Sequence, residues 1–191
     1  MANDYDELIP TKASLLGRLK NPEDQSSWQE FFDTYSKLIY GVARKAGLNE
    51  VDARDVLHET MESVAEHMPK FKYDPKIGSF KAWLLNLTRL QIIAHACKPR
   101  SAVETNSTAQ EVDRLWEKEW DINILEAAVV NVKRRLEPAK YQIYDFCVNK
   151  KWSPEKVAAV FGLLVDQVLD AQREITEMIQ AEAKRLEQRM L

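Results

Sequence analysis

Apolar residues recur along this chain at the 3.6-residue period of amphipathic helices. Leu15, Leu16 and Leu19 share one face of a short helix that Thr11 can cap and that stops before Asn21-Pro22. Trp28, Phe31, Phe32, Tyr35, Leu38, Ile39, Val42 and Ala46 then predict a longer helix with an aromatic core stripe. Ser27 and Glu30 have the spacing of a capping box at its start, and Gly47 ends it. A third helix begins at Asn49 and ends at Pro69. It turns Ala53, Val56, Leu57, Thr60, Met61, Val64, Ala65 and Met68 inward. Ser79 caps a fourth, with Phe80, Trp83, Leu84 and Leu87 on one face and Trp83, Leu84, Leu87 and Ile93 inside, which ends before Pro99.

The stretch 100–120 breaks this rhythm. SAVETNSTAQ has little apolar content and no clear period, and the acids that follow make the segment read as a linker. Beyond it, Ile122, Leu125, Ala128, Val129, Val132 and Leu136 predict a helix from near Asp121 to Glu137-Pro138. Pro138 to about Val148 is the next. Ser153-Pro154-Glu155 opens a short helix that buries Val157, Ala158 and Phe161. Gly162 then turns the chain into a long helix from about Val165. Two helices joined at a glycine turn have the form of a helix-turn-helix. The expected fold is all-α: two helical domains, 1–99 and 121–191, joined by a flexible linker over 100–120.

Composition narrows the classes. Five glycines in 191 residues argue against a sheet protein of many tight turns and against a glycine-rich phosphate loop. No apolar run is long enough to span a bilayer, and MANDYDELIPTK lacks the apolar core of a secretory signal, so a cytoplasmic protein is expected. Cys97 and Cys147 are far apart, with no metal-ligand spacing, and read as reduced thiols. His58 and Glu62 share a helix face without a third ligand, and Cys97 reads as having no activating base nearby in sequence. No enzyme, metal site or cofactor is therefore expected.

The net charge is −3, against a simple non-specific DNA binder, and charge is distributed by segment. Between Glu50 and Glu62 there are five acids and one base, Arg54. From Pro69 to Arg89 come Lys70, Lys72, Lys76, Lys81 and Arg89, against Asp74 alone. That second stretch also carries Phe71, Tyr73 and Phe80. Aromatic faces beside cations suit unstacked bases and their phosphates, with stacking worth ~1–3 kcal/mol per base. Considered singly, the acidic face also fits a solvated surface, and the loop aromatics also fit a core closure.

In combination these segments resemble an extracytoplasmic-function (ECF) sigma factor of bacterial RNA polymerase. The resemblance runs over residues 11–99 and 121–188. It is carried by FFDTYSKLIYGVARKAGL, by DARDVLHETMESVAEHMPKFKYDPKIGSFKAWLLNLTR and by YQIYDFCVNKKWSPEKVAAVFG. It implies a sigma region 2 domain over 1–99 and a sigma region 4 domain over 121–191. Asp55, His58, Glu59 and Glu62 would contact core polymerase, although the family usually has Gln where His58 stands. Phe71, Lys72, Tyr73, Ser79, Phe80, Lys81, Asn86 and Arg89 would handle the −10 promoter element, with Trp83 as core support. The implied partners are core RNA polymerase and promoter DNA, with an anti-sigma protein as a third that the family allows. The resemblance implies no membrane partner and no small-molecule substrate.

Two departures stand out. After Leu87 the chain reads LQIIAHACKPR, where similar proteins are rich in Arg and Lys. The helix in the place of the −35 reader is LLVDQVLDAQREITEMI, with Asp166, Asp170 and Glu174 on one face and Leu164 where the family tends to have a serine cap. Carboxylates repel phosphates, so two readings stay open. Either Gln167, Gln172 and Arg173 read the −35 element weakly, or the protein is a sigma-like regulator. Such a regulator would bind polymerase or an anti-sigma protein without supporting ordinary initiation.

Overall fold

The computed structural model describes residues 13–72, 79–97 and 108–189. Every regular element among them is helical. In chain order these are α1 (Ala13–Arg18), α2 (Gln25–Lys45), α3 (Glu50–His67), a 3-10 turn (Met68–Lys70) and α4 (Phe80–Ala96). Then come α5 (Ala109–Arg135), α6 (Pro138–Val148), α7 (Pro154–Phe161) and α8 (Val165–Arg189). The described residues up to Asn123 form one compact unit and those from Ile124 to Gln188 another.

Local chemistry sets most boundaries. Asn49 accepts a hydrogen bond from Asp52 N, Ser79 from Ala82 N and Ser153 from Lys156 N, each a side-chain N-cap. The cap expected at Ser27 lies three residues earlier. Asp24 Oδ1 accepts from Ser27 N at 3.0 Å, and Ser27 Oγ donates back to Asp24 O at 2.9 Å. Gly47 at φ 94° and Gly162 at φ 66° end α2 and α7 in the left-handed region that a Cβ disfavours. Each is followed by the long Schellman bond, Leu48 N to Ala43 O and Leu163 N to Ala158 O. The expected cap at Thr11 lies outside the described residues.

The first unit is built on an aromatic cluster. Phe31, Tyr35 and Phe80 are fully buried, with Phe31–Tyr35 centroids at 4.8 Å and Tyr35–Phe80 at 5.8 Å. The α3 stripe of Ala53, Val56, Leu57, Thr60, Val64 and Met68 is buried as expected, while Ala65 is exposed. In α4 the buried side is Phe80, Leu84, Thr88, Ile92 and His95, and Ile93 is exposed instead.

The linker expected over 100–120 is corrected from Ala109 onward, where the chain is helical. Residues 101–107 lie outside the described residues. Thr108 and Glu111 form a reciprocal cap: Glu111 Oε2 accepts from Thr108 N at 2.8 Å and Thr108 Oγ1 from Glu111 N at 3.3 Å. Val112 and Trp116 are fully buried and Trp120 nearly so, all before Asn123 and within the first unit. Ile122 and Leu125, expected inside, are 46% and 47% exposed, because the buried stripe runs through Ile124, Ala128 and Val132.

The second unit has its own core of Ile143, Val157, Ala158 and Val168, flanked by Phe146, Trp152 and Phe161. Phe146 packs against Trp152 in a tilted pair with ring centres 4.5 Å apart. In α8, Glu182 is 5% exposed and held by Asn131, Arg135 and Arg185.

Candidate functional site

Helix α3 separates two kinds of side chain by its period. While Val56, Leu57, Thr60 and Val64 are buried, Asp55, His58 and Glu62 are exposed on the outer side. Glu59, expected with them, is half-buried, and its Oε2 lies 3.0 Å from Nε2 of His95 on α4. The His95 side chain is fully buried, and its Nδ1 lies 3.7 Å from Asp52 Oδ1. One side of α3 is thus tied to α4, and Asp55, His58 and Glu62 remain as the exposed group, with Asp55 at its edge nearest His95. Ligand-type atoms of Asp52, Asp55 and His95 lie within 4.8 Å of one another. Sequence reading considered His58 with Glu62 and missed this grouping, because His95 is on another helix.

The basic and aromatic block follows α3. Phe71 packs on Trp83 at 4.7 Å and on Phe80 at 6.0 Å, and Phe80 meets Trp83 at 5.4 Å. The expectation that Phe80 faces a base is corrected by its burial: it supports the half-buried Phe71 and Trp83 from below. Lys72 is exposed. Tyr73 lies outside the described residues. Ser79 is exposed, and its hydroxyl is engaged as the α4 cap at 3.2 Å from Ala82 N. Asn86 and Arg89, one turn apart, share a hydrogen bond, Arg89 Nη2 to Asn86 Oδ1, at 2.7 Å.

Two cations of this block, Lys81 and Arg89, have carboxylate partners on α5. Lys81 Nζ donates to Glu117 Oε2 at 2.5 Å and lies 5.3 Å from the Trp120 ring centre. Arg89 Nη1 reaches both oxygens of Asp113, at 3.0 and 3.1 Å. Lys45 of α2 pairs with Glu119. A Cβ at Gly41 would sit 3.0 Å from Glu119 Oε2, so the glycine leaves room for that carboxylate. None of these contacts was anticipated, because the segment that supplies the acids was read as linker.

In the second unit, Gln167 Oε1 accepts from Leu164 N at 2.9 Å. The cap lost with a leucine at 164 is thus partly replaced by a glutamine reaching back. Asp166, Asp170 and Glu174 are all exposed. Asp170 pairs with Arg173 at 2.6 Å, and Glu174 with Lys140 of α6 at 2.7 Å. Arg173 is exposed and Gln172 half-buried. No helix among the described residues is long and apolar enough to cross a membrane.

Residues 31–99 match the family model of sigma-70 region 2. The match bears out the recognition of a sigma factor. It takes in α2 from Phe31, all of α3 and all of α4, and so both the acidic face and the basic, aromatic block. A solved structure of CnrH in complex with the cytosolic domain of CnrY is similar over 88% of this chain and 94% of that chain. The identity is 18% and the TM-score 0.38, a distant likeness. No curated protein matches the chain.

Proposed function

We propose that this protein is an ECF-type sigma factor, a non-enzymatic subunit that brings core RNA polymerase to a subset of promoters in the bacterial cytoplasm. The observation that carries the reading is the sigma-70 region 2 match over the segment where an exposed acidic helix face adjoins a cationic, aromatic block. Asp55, His58 and Glu62 are the polymerase contacts, with Glu59 at their edge. Lys72, Lys81, Asn86 and Arg89 are the −10 strand contacts, with Phe71 and Trp83 as the apolar wall; Tyr73, outside the described residues, joins them on its place in the sequence alone.

The second unit takes the part of sigma region 4. Its −35 contacts would be Gln172 and Arg173, with Gln167 shared between the helix cap and any base. Exposed Asp166, Asp170 and Glu174 support weakened −35 recognition, since each adds repulsion near phosphate. The same exposed acids favour a second reading: a sigma-like regulator that binds polymerase or an anti-sigma protein without ordinary initiation.

The test is a pull-down of purified core RNA polymerase with wild type and with Asp55→Lys/Glu62→Lys. Both positions are exposed; Asp55 has a carboxylate oxygen within 4.8 Å of a His95 ring nitrogen, so Glu62→Lys alone is the companion variant that leaves the buried His95 contact untouched. Wild type should retain core enzyme and the variant should lose most of it, because reversing charges facing an opposite potential slows encounter and weakens the complex. Equal retention by both proteins would remove the acidic face from the interface.

A further inference from the structure

The face assigned to the −10 strand is already occupied by carboxylates of the same chain. Asp113 and Glu117 stand four residues apart on α5, one above the other on a single helix face. They hold Arg89 and Lys81, while Glu119 holds Lys45. Carboxylate and phosphate compete for the same guanidinium and ammonium donors in the same geometry. The helix carrying the acids is seated by Val112, Trp116 and Trp120, which are buried, so the ring of acids stays close to the face. The pairs themselves are partly open to water: Asp113 is 40% and Glu117 59% exposed at the side chain. Ion pairs of that kind are weak and screened by salt, and they exchange readily.

We propose that Asp113, Glu117 and Glu119 are an autoinhibitory acidic clasp that stands in for DNA phosphates on Lys81, Arg89 and Lys45. A strand binds by exchanging its phosphates for these carboxylates while α5 keeps its apolar seat. This rests on the reading of that face as strand-binding. It makes the free protein a poor DNA binder, so that DNA is engaged where a further favourable contact, such as that with polymerase, adds to the exchange.

The test uses the full chain and a short fluorescein-labelled single-stranded DNA of mixed sequence, read by anisotropy at low salt. Asp113→Asn/Glu117→Gln/Glu119→Gln keeps side-chain shape and removes the competing charge. It should bind roughly tenfold more tightly than wild type, the sum expected from releasing two exposed pairs and the more enclosed Lys45–Glu119 pair. A control with the same change in net charge, Glu23→Gln/Asp33→Asn/Glu66→Gln, should gain much less. No gain in the clasp variant, or an equal gain in the control, overturns the clasp. Adding Lys45→Gln/Lys81→Gln/Arg89→Gln to the clasp variant should abolish the gain. A gain that survives those changes shows instead that this face does not bind the strand.

Discussion

Trp116→Ala is expected to lower stability by about 2–3 kcal/mol in urea denaturation, and Trp116→Phe to leave it within about 1 kcal/mol of wild type. Trp116 is fully buried, and emptying such a site ordinarily costs about 3–5 kcal/mol. Its indole N–H, however, is buried without a hydrogen-bond partner among the described residues, a burden of about 1–3 kcal/mol that either substitution removes. The two terms oppose each other in the alanine variant. In the phenylalanine variant most of the packing stays and the orphan donor goes. A phenylalanine variant as unstable as the alanine variant would contradict this, and would mean that the N–H is satisfied.

Glu182→Ala is the second large change. The Glu182 carboxylate accepts from Arg185 Nε at 2.9 Å and Nη2 at 2.6 Å, from Asn131 Nδ2 at 3.0 Å and from Arg135 Nη1 at 3.3 Å. Breaking a buried pair often costs about 3–5 kcal/mol because a charge is stranded. Here Arg185 and Arg135 are 34% and 49% exposed and can turn to water, so a loss of about 2–3 kcal/mol is expected. Hydrogen bonds from Arg185, first among several causes, hold the Glu182 carboxyl below its ordinary range. A lowered folded value stabilises the protein above the unfolded value of about 4.3 and stops doing so as pH falls through the folded value. The difference between wild type and Glu182→Ala should therefore be full at neutral pH and shrink under acid, as urea midpoints across that range would show. A difference that does not change with pH would contradict the charged network.

How far the chain was legible follows from which signals are local. Asn49, Ser79 and Ser153 announce helices because a cap acts within three residues, and Gly47 and Gly162 end them because only the backbone angle matters. Asp24 was missed because Ser27 and Glu30 imitate a capping box one turn downstream. The buried side of α4 was misplaced at Ile93 because Thr88 and His95, polar in sequence, lie on it and interrupt the apolar stripe.

The largest error, residues 109–120, had a readable signal. Thr108 and Glu111 have capping-box spacing, and Val112, Trp116 and Trp120 recur every four residues. The dense acids between them masked the stripe and made the segment look solvated. What no local pattern could give is the pairing of those acids with Lys81, Arg89 and Lys45, since partners up to 74 residues apart meet only in the fold. The same holds for His95 against Glu59 and for Glu182 against Asn131. Phe80 was legible as apolar but not as buried, because its position under Phe71 and Trp83 depends on α2.

The most direct test of the central claim is run-off transcription on fragmented genomic DNA from the source bacterium, with purified core polymerase alone and with this protein added. The account predicts discrete new start sites that need the added protein and disappear with Asp55→Lys/Glu62→Lys. Wild type that binds core polymerase yet yields no new start sites would contradict initiation, and would leave the sigma-like regulator as the function.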